Sequence, residues 1–266
     1  MKKIKIQQIR VLSLVLLVLA ACGKEEEAKK PVAKPVQSVV FLDKSASVFD
    51  DVDYVNRKYA KALQDIVNGN IRTKGDRLDI YYVHENTGKA QVFSDVCQAA
   101  VLEDTTYASP TDKEAIRNDF QLALRKEKSE FLNQALTHLM KPNPTATSRN
   151  TDIWATLEVV NRIADTAATV NAYYFSDMIE SMPCSNRRDF HVKPPKTREE
   201  AETWAKADGA TLKGALRPEI AGKLTVYLVS PFKPTSTTRE NNPNVTYYWE
   251  QLFKEIGVTQ PVREIN

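Results

Sequence analysis

The chain has 266 residues, with 37 Lys and Arg against 34 Asp and Glu, a net charge of +3. With 42% hydrophobic and 27% charged residues its composition is globular, and 8 Gly and 13 Pro exclude a collagen-like or low-complexity protein. Three Cys are too few for a disulfide scaffold or a zinc cluster.

The basic excess sits at the start. Lys2, Lys3, Lys5 and Arg10 precede the apolar run Val11–Ala21, and residues 1–21 contain no acid. That run is shorter than the ~20 residues a membrane span needs. A positive segment, a short apolar segment and small residues at its end describe a secretory signal peptide. The run ends Leu19-Ala20-Ala21-Cys22, which resembles the lipobox of bacterial lipoproteins. The resemblance implies cleavage before Cys22 and acylation of Cys22, with palmitate-like chains as the membrane anchor. Removing residues 1–21 leaves 33 basic against 34 acidic residues, a net of −1. A mild basic excess can point to nucleic acid or anionic lipid, but here it belongs to the signal, and no nucleic-acid partner is expected.

Residues 22–37 read as the lipidated Cys and a solvated tether, because GKEEEAKKPVAKPVQ has almost no large apolar residue to bury. Gly23, with no Asp after the Cys, implies by the same resemblance the outer membrane, facing the periplasm, in a Gram-negative envelope.

The folded part is expected over 38–266. Ser38–Leu42 is a β-branched apolar run, as in a strand buried on both faces. Asp50–Asn70 has helical spacing, an Asp at its start and Gly69 near its end. Leu78–Val83 and Ala90–Phe93, joined through Asn86-Thr87-Gly88, read as an antiparallel pair. Asp112–Met140 predicts one long helix or two, and Lys141–Thr147 breaks the pattern. Asp152–Ala164 predicts a helix, Asn171–Ser176 a buried strand and Lys223–Val229 another. Tyr247–Ile256 predicts a closing amphipathic helix, after which no sixth strand is identifiable. An insertion spans 180–222, with Arg198–Lys213 helical. Alternating β and α elements imply a three-layer α/β sandwich. It has a mostly parallel, Rossmann-like sheet with one antiparallel edge strand and helices on both faces.

Strand one runs into Asp43-Lys44-Ser45-Ala46-Ser47. In such sheets, ligand sites form at the carboxyl ends of strands beside a topological switch point. Carboxylate and hydroxyl oxygens suit a hard cation, Mg²⁺ first, with Mn²⁺ or Ca²⁺ as alternatives. Thr151, in a loop entering a helix, and Asp177, ending the strand Tyr173-Tyr174-Phe175-Ser176, supply matching oxygens.

These three elements resemble the von Willebrand factor A domain and its metal-ion-dependent adhesion site: D-x-S-x-S after the first strand, a Thr before a later helix, and an Asp ending the following strand. The resemblance covers about 38–257. It implies that Asp43, Ser45, Ser47, Thr151 and Asp177 hold a divalent metal, with a position left for an Asp or Glu carboxylate of a partner protein. That role is adhesion, assembly or scaffolding, not catalysis. Met178 stands where the family often has Gly, and Ser148, Arg149 and Asn150 precede the Thr where Gly is common.

Two alternatives stand beside it. A metal-independent scaffold would use the 180–222 insertion as its binding surface. A phosphatase-like hydrolase would use Asp43 as nucleophile, but Ser45 occupies the position where that chemistry needs a second acid. No G-x-S-x-G supports an acyl-transfer serine. His84, His138 and His191 lack zinc-site spacing, and Trp154, Trp204 and Trp249 read as packing residues. Arg187–Lys196 reads as a solvated loop. Cys97 and Cys184 form the candidate disulfide of an exported chain.

Overall fold

Every residue of β1 (Val36–Asp43) is buried, which in a sheet requires neighbours on both edges and cover on both faces. The computed structural model, which describes residues 34–99, 105–144, 149–166, 168–183 and 186–265, supplies all four. β2 (Arg77–Val83) and β4 (Thr169–Phe175) flank β1 in parallel, and β3 (Gln91–Val96) pairs antiparallel with β2 at the edge. β5 (Leu224–Val229) and the two-residue β6 (Arg263–Glu264) complete the order β3-β2-β1-β4-β5-β6.

The strand alternation divides the core in two. Val40, Leu42, Ile80, Tyr82, Tyr173 and Phe175 face α1 (Val52–Asn70) and α2 (Pro110–Met140). Val39, Phe41, Ala172, Tyr174, Val226 and Leu228 face α3 (Ala155–Ile163), α4 (Arg198–Thr211), the short α5 (Pro218–Ala221) and α6 (Pro243–Glu255). This is the expected three-layer sandwich. Trp154 and Trp249 are buried within it, and Trp204 packs against it.

Several boundaries moved for identifiable reasons. β1 begins at Val36, so Val36 and Gln37 belong to the strand and not to the tether. The Gln37 side chain donates to Asp79 and the Ile163 carbonyl and accepts from the Asp165 amide. α1 continues through Gly69 to Asn70, whose side chain bonds Ser38 and Tyr173. Residues 110–140 form one uninterrupted helix, started by Ser109 accepting the Asp112 amide. α6 starts at Pro243 because Asn242 caps it through the Asn244 amide at 3.0 Å. A sixth strand does follow it: Arg263 and Glu264 pair with Tyr227 and Leu228. Two exposed charged residues leave no apolar pattern to announce a strand.

Among the described residues, no helix is long and apolar enough to cross a membrane. The segment with Cys22 lies outside them, as does Cys184. Cys97 is a buried free thiol whose amide donates to the Asp76 carbonyl, beside the start of β2. That is the end of the sheet opposite Asp43.

Candidate metal centre at the carboxyl ends of β1 and β4

β1 connects to β2 on one side while β4 lies on the other, so their carboxyl ends border the crevice where the strand order reverses. The register ends with Leu42 opposite Phe175, which sets Asp43 beside Ser176. The Ser176 hydroxyl donates to Asp43 Oδ2 at 2.6 Å and itself accepts the Met178 amide at 2.8 Å. Asp43 Oδ1 accepts the Ser45 amide at 2.8 Å, curling the chain so that Ser45 and Ser47 hydroxyls meet at 3.2 Å. Ser47 lies next to Asp177 at the same concavity, and its hydroxyl acts to lower the Asp177 carboxyl. Asp177 Oδ1 accepts the Ile179 amide at 3.0 Å. Four of the five sequence-predicted residues thus form one connected cluster.

Thr151 hangs from the same rim. It exchanges both backbone hydrogen bonds with Ser181, at 2.9 and 3.0 Å. Asn150, Ser181 and Ser47 line one concavity of about 440 Å³. The Thr151 hydroxyl is buried and has no hydrogen-bond partner among the described residues, a costly condition for a polar group.

The two acids are buried close together. Burial pushes the Asp43 carboxyl up to about 7, with the Asp177 charge adding to the effect. Burial raises Asp177 as well. Two desolvated carboxylates and three hydroxyls make an oxygen set that fits a hard dication, whose charge would offset both desolvation and mutual repulsion. Among the described residues, no cluster of three His, Cys, Asp or Glu exists to hold a softer metal.

Met178 follows Asp177 with φ of 61°, in the left-handed region that suits glycine. The turn is held by the Trp249 indole, which donates to the Met178 carbonyl at 2.8 Å. A Met therefore holds a backbone conformation that glycine adopts more easily.

The insertion forms a wall beside the cluster. Ser47 lines three concavities, one of about 490 Å³ shared with Asp177, His191, Arg239 and Asn242. His191 is exposed between two of them, whereas His84 and His138 are buried and bonded within the fold. The expectation of a solvated Arg187–Lys196 loop fails at its first two residues. Arg187 is largely buried against Trp154, Asp152 and Glu180. Arg188 forms a forked pair with Asp208, which also accepts from Tyr248.

Sequence reading missed Ser176, Lys44 and Glu180. Ser176 stood in the sequence as a hydroxyl directly before Asp177, but only the β1–β4 register sets it beside Asp43. Lys44 occupied a spacer position of the motif, yet it is buried, and its ammonium donates to the carbonyls of His138, Leu139 and Lys141. It thereby ties the motif loop to the end of α2.

No family model matches the chain, and no curated protein matches it. Among the solved structures similar to the chain are two at 12% identity. One is proximal thread matrix protein 1 from the mussel byssus, with 88% of this chain and 44% of that one covered at a TM-score of 0.36. The other is a von Willebrand factor type A protein from Catenulispora acidiphila, with 88% and 39% covered at a TM-score of 0.35. The chain thus spans less than half the length of either.

Proposed function

We propose that this protein is an exported, lipid-anchored scaffold whose von Willebrand factor A-like domain binds a protein partner through a divalent cation. The observation that carries the reading is the Thr151 hydroxyl, buried with no partner among the described residues, next in the chain to Asn150, which lines one concavity with Ser47 of the Asp43 cluster. Ser45, Ser47 and Thr151 would hold the metal as neutral ligands, while Asp43 and Asp177 supply charge. With so few anionic ligands, the cation keeps its attraction for an incoming Asp or Glu of the partner.

The chain's own residues do the positioning. Ser176 and the Ser45 amide orient the Asp43 carboxylate, and the Ile179 amide orients Asp177. Cys22 is the proposed anchor. The chain enters β1 at Val36, at the sheet end opposite Asp43.

Two experiments test this. Mg²⁺ or Mn²⁺ should raise the melting temperature of the full chain, and Asp43→Ala should abolish the rise; no metal-dependent shift in the parent removes the metal reading. Cross-linking capture with and without EDTA then separates the alternatives, since recovery of the same partner in both arms favours recognition without metal. Separately, Cys22→Ser should move the protein out of the membrane fraction.

A further inference from the structure

The insertion does more than wall the groove. Glu180, fully buried, accepts the Ile153 amide at 2.8 Å and the Trp154 amide at 3.3 Å, immediately before α3. Asp152 accepts the Ala155 amide at 3.0 Å. These two acids belong to the two segments whose backbones cross at the Thr151–Ser181 pair. Arg187, from the insertion, bonds both Asp152 and Glu180, and its guanidinium lies 4.7 Å from the Trp154 ring centroid. One planar cation therefore clips the loop carrying Thr151 to the segment leaving Asp177. One nitrogen, Nη2, donates to both acids while the flat guanidinium face stacks on Trp154, and a lysine ammonium has no such face to stack.

We propose that Arg187 is a positioning residue for the Thr151 hydroxyl, holding it at the metal cluster by bridging Asp152 to Glu180 beneath it. The proposal rests on the metal reading for its functional consequence, while the clip itself is testable without metal. Removing Arg187 leaves Glu180 buried with only backbone donors and frees Asp152 from the partner across the loop. The Thr151–Ser181 pair then has to hold the loop alone. Outer partners of this kind commonly change metal affinity by about 10–100-fold when lost.

The test uses the full chain with Arg187→Ala, Arg187→Lys and, as a control within the insertion, Arg188→Ala. Arg188 pairs with Asp208 and touches none of the clip. In metal-free protein, Arg187→Ala should speed hydrogen exchange at the Thr151, Ile153, Trp154 and Ser181 amides. It should also weaken Mn²⁺ binding by roughly tenfold or more. Arg187→Lys should recover part of both, and Arg188→Ala should change neither. Unchanged exchange at those amides in Arg187→Ala overturns the proposal, as does equal loosening in Arg188→Ala. Should Arg187→Ala fail to fold, Arg187→Lys carries the same two measurements against the parent. A parent chain that binds no Mn²⁺ sinks the metal reading alone, and the exchange pattern still decides the clip.

Discussion

The ammonium of Lys44 donates to the Leu139 carbonyl across 2.8 Å, joining the loop after β1 to the last turn of α2, 95 positions further along the chain. Helix ends leave carbonyls without partners, and here one buried cation serves three of them, with the Tyr82 ring 5.0 Å away. Lys44→Met keeps the stem and removes the donors. It should destabilise the fold by about 2–3 kcal/mol, as expected for charge-assisted bonds lost in a buried setting. A urea midpoint equal to the parent's would show that these bonds add nothing to stability.

The metal-free protein should lose stability as pH rises through the range between the ordinary Asp value and about 7, because Asp43 is protonated in the fold where the unfolded chain has already released its proton. Glu180, raised to about 8 by burial, acts in the same sense. His84 and His138 are lowered by burial and act oppositely below their ordinary value. The difference between the parent and Asp43→Asn isolates the Asp43 contribution. Thermal melts should show the parent losing ground to the variant between about pH 4 and about pH 7.5, roughly the span over which the folded and unfolded chains differ in Asp43 protonation. Mg²⁺ should restore more stability at the higher setting, where Asp43 is deprotonated. Equal Mg²⁺ effects at both settings would separate metal binding from Asp43.

Backbone strain at Met178 gives an ordered series. Glycine at this position relieves roughly 1–2 kcal/mol of left-handed strain but gives up a buried side chain worth about 2–3 kcal/mol. A small net loss should result. Met178→Val keeps apolar bulk, yet a β-branched residue at φ of 61° is strongly disfavoured. Denaturant melts should therefore rank the parent first, Gly second and Val last. The reverse order of the two variants would show that side-chain burial outweighs backbone conformation.

Gly209 reports on how the insertion docks. A Cβ there would meet Glu255 Cβ at 2.5 Å, where α4 lies against α6. Alanine would gain about 1 kcal/mol of helix propensity, but the close approach should outweigh it and Gly209→Ala should unfold at lower urea. Gly209→Leu should lose more. An alanine variant more stable than the parent would mean that the two helices part easily.

Particular residues show where sequence reading reached. The strands buried on both faces announced themselves as apolar runs, and Asp43, Ser45, Ser47 and Asp177 were legible because they cluster within a few residues of where such runs end. β6 was not legible, since its two residues pair by backbone alone. Arg187 and Lys44 were not legible either. A charged residue reads as solvated until the fold supplies its buried partners, and those partners come from segments far away in the chain.

The sequence alone therefore determined the alternation of strands and helices, and with it the layered sheet, because burial periodicity is a local property of the chain. It also set the oxygen chemistry at the strand ends. Only the tertiary structure decided that Ser176 lies against Asp43, that the Thr151 hydroxyl is buried without a partner among the described residues, and that Arg187 is a strut and not a surface charge. Those outcomes depend on register, desolvation and the meeting of distant segments, which no local pattern encodes.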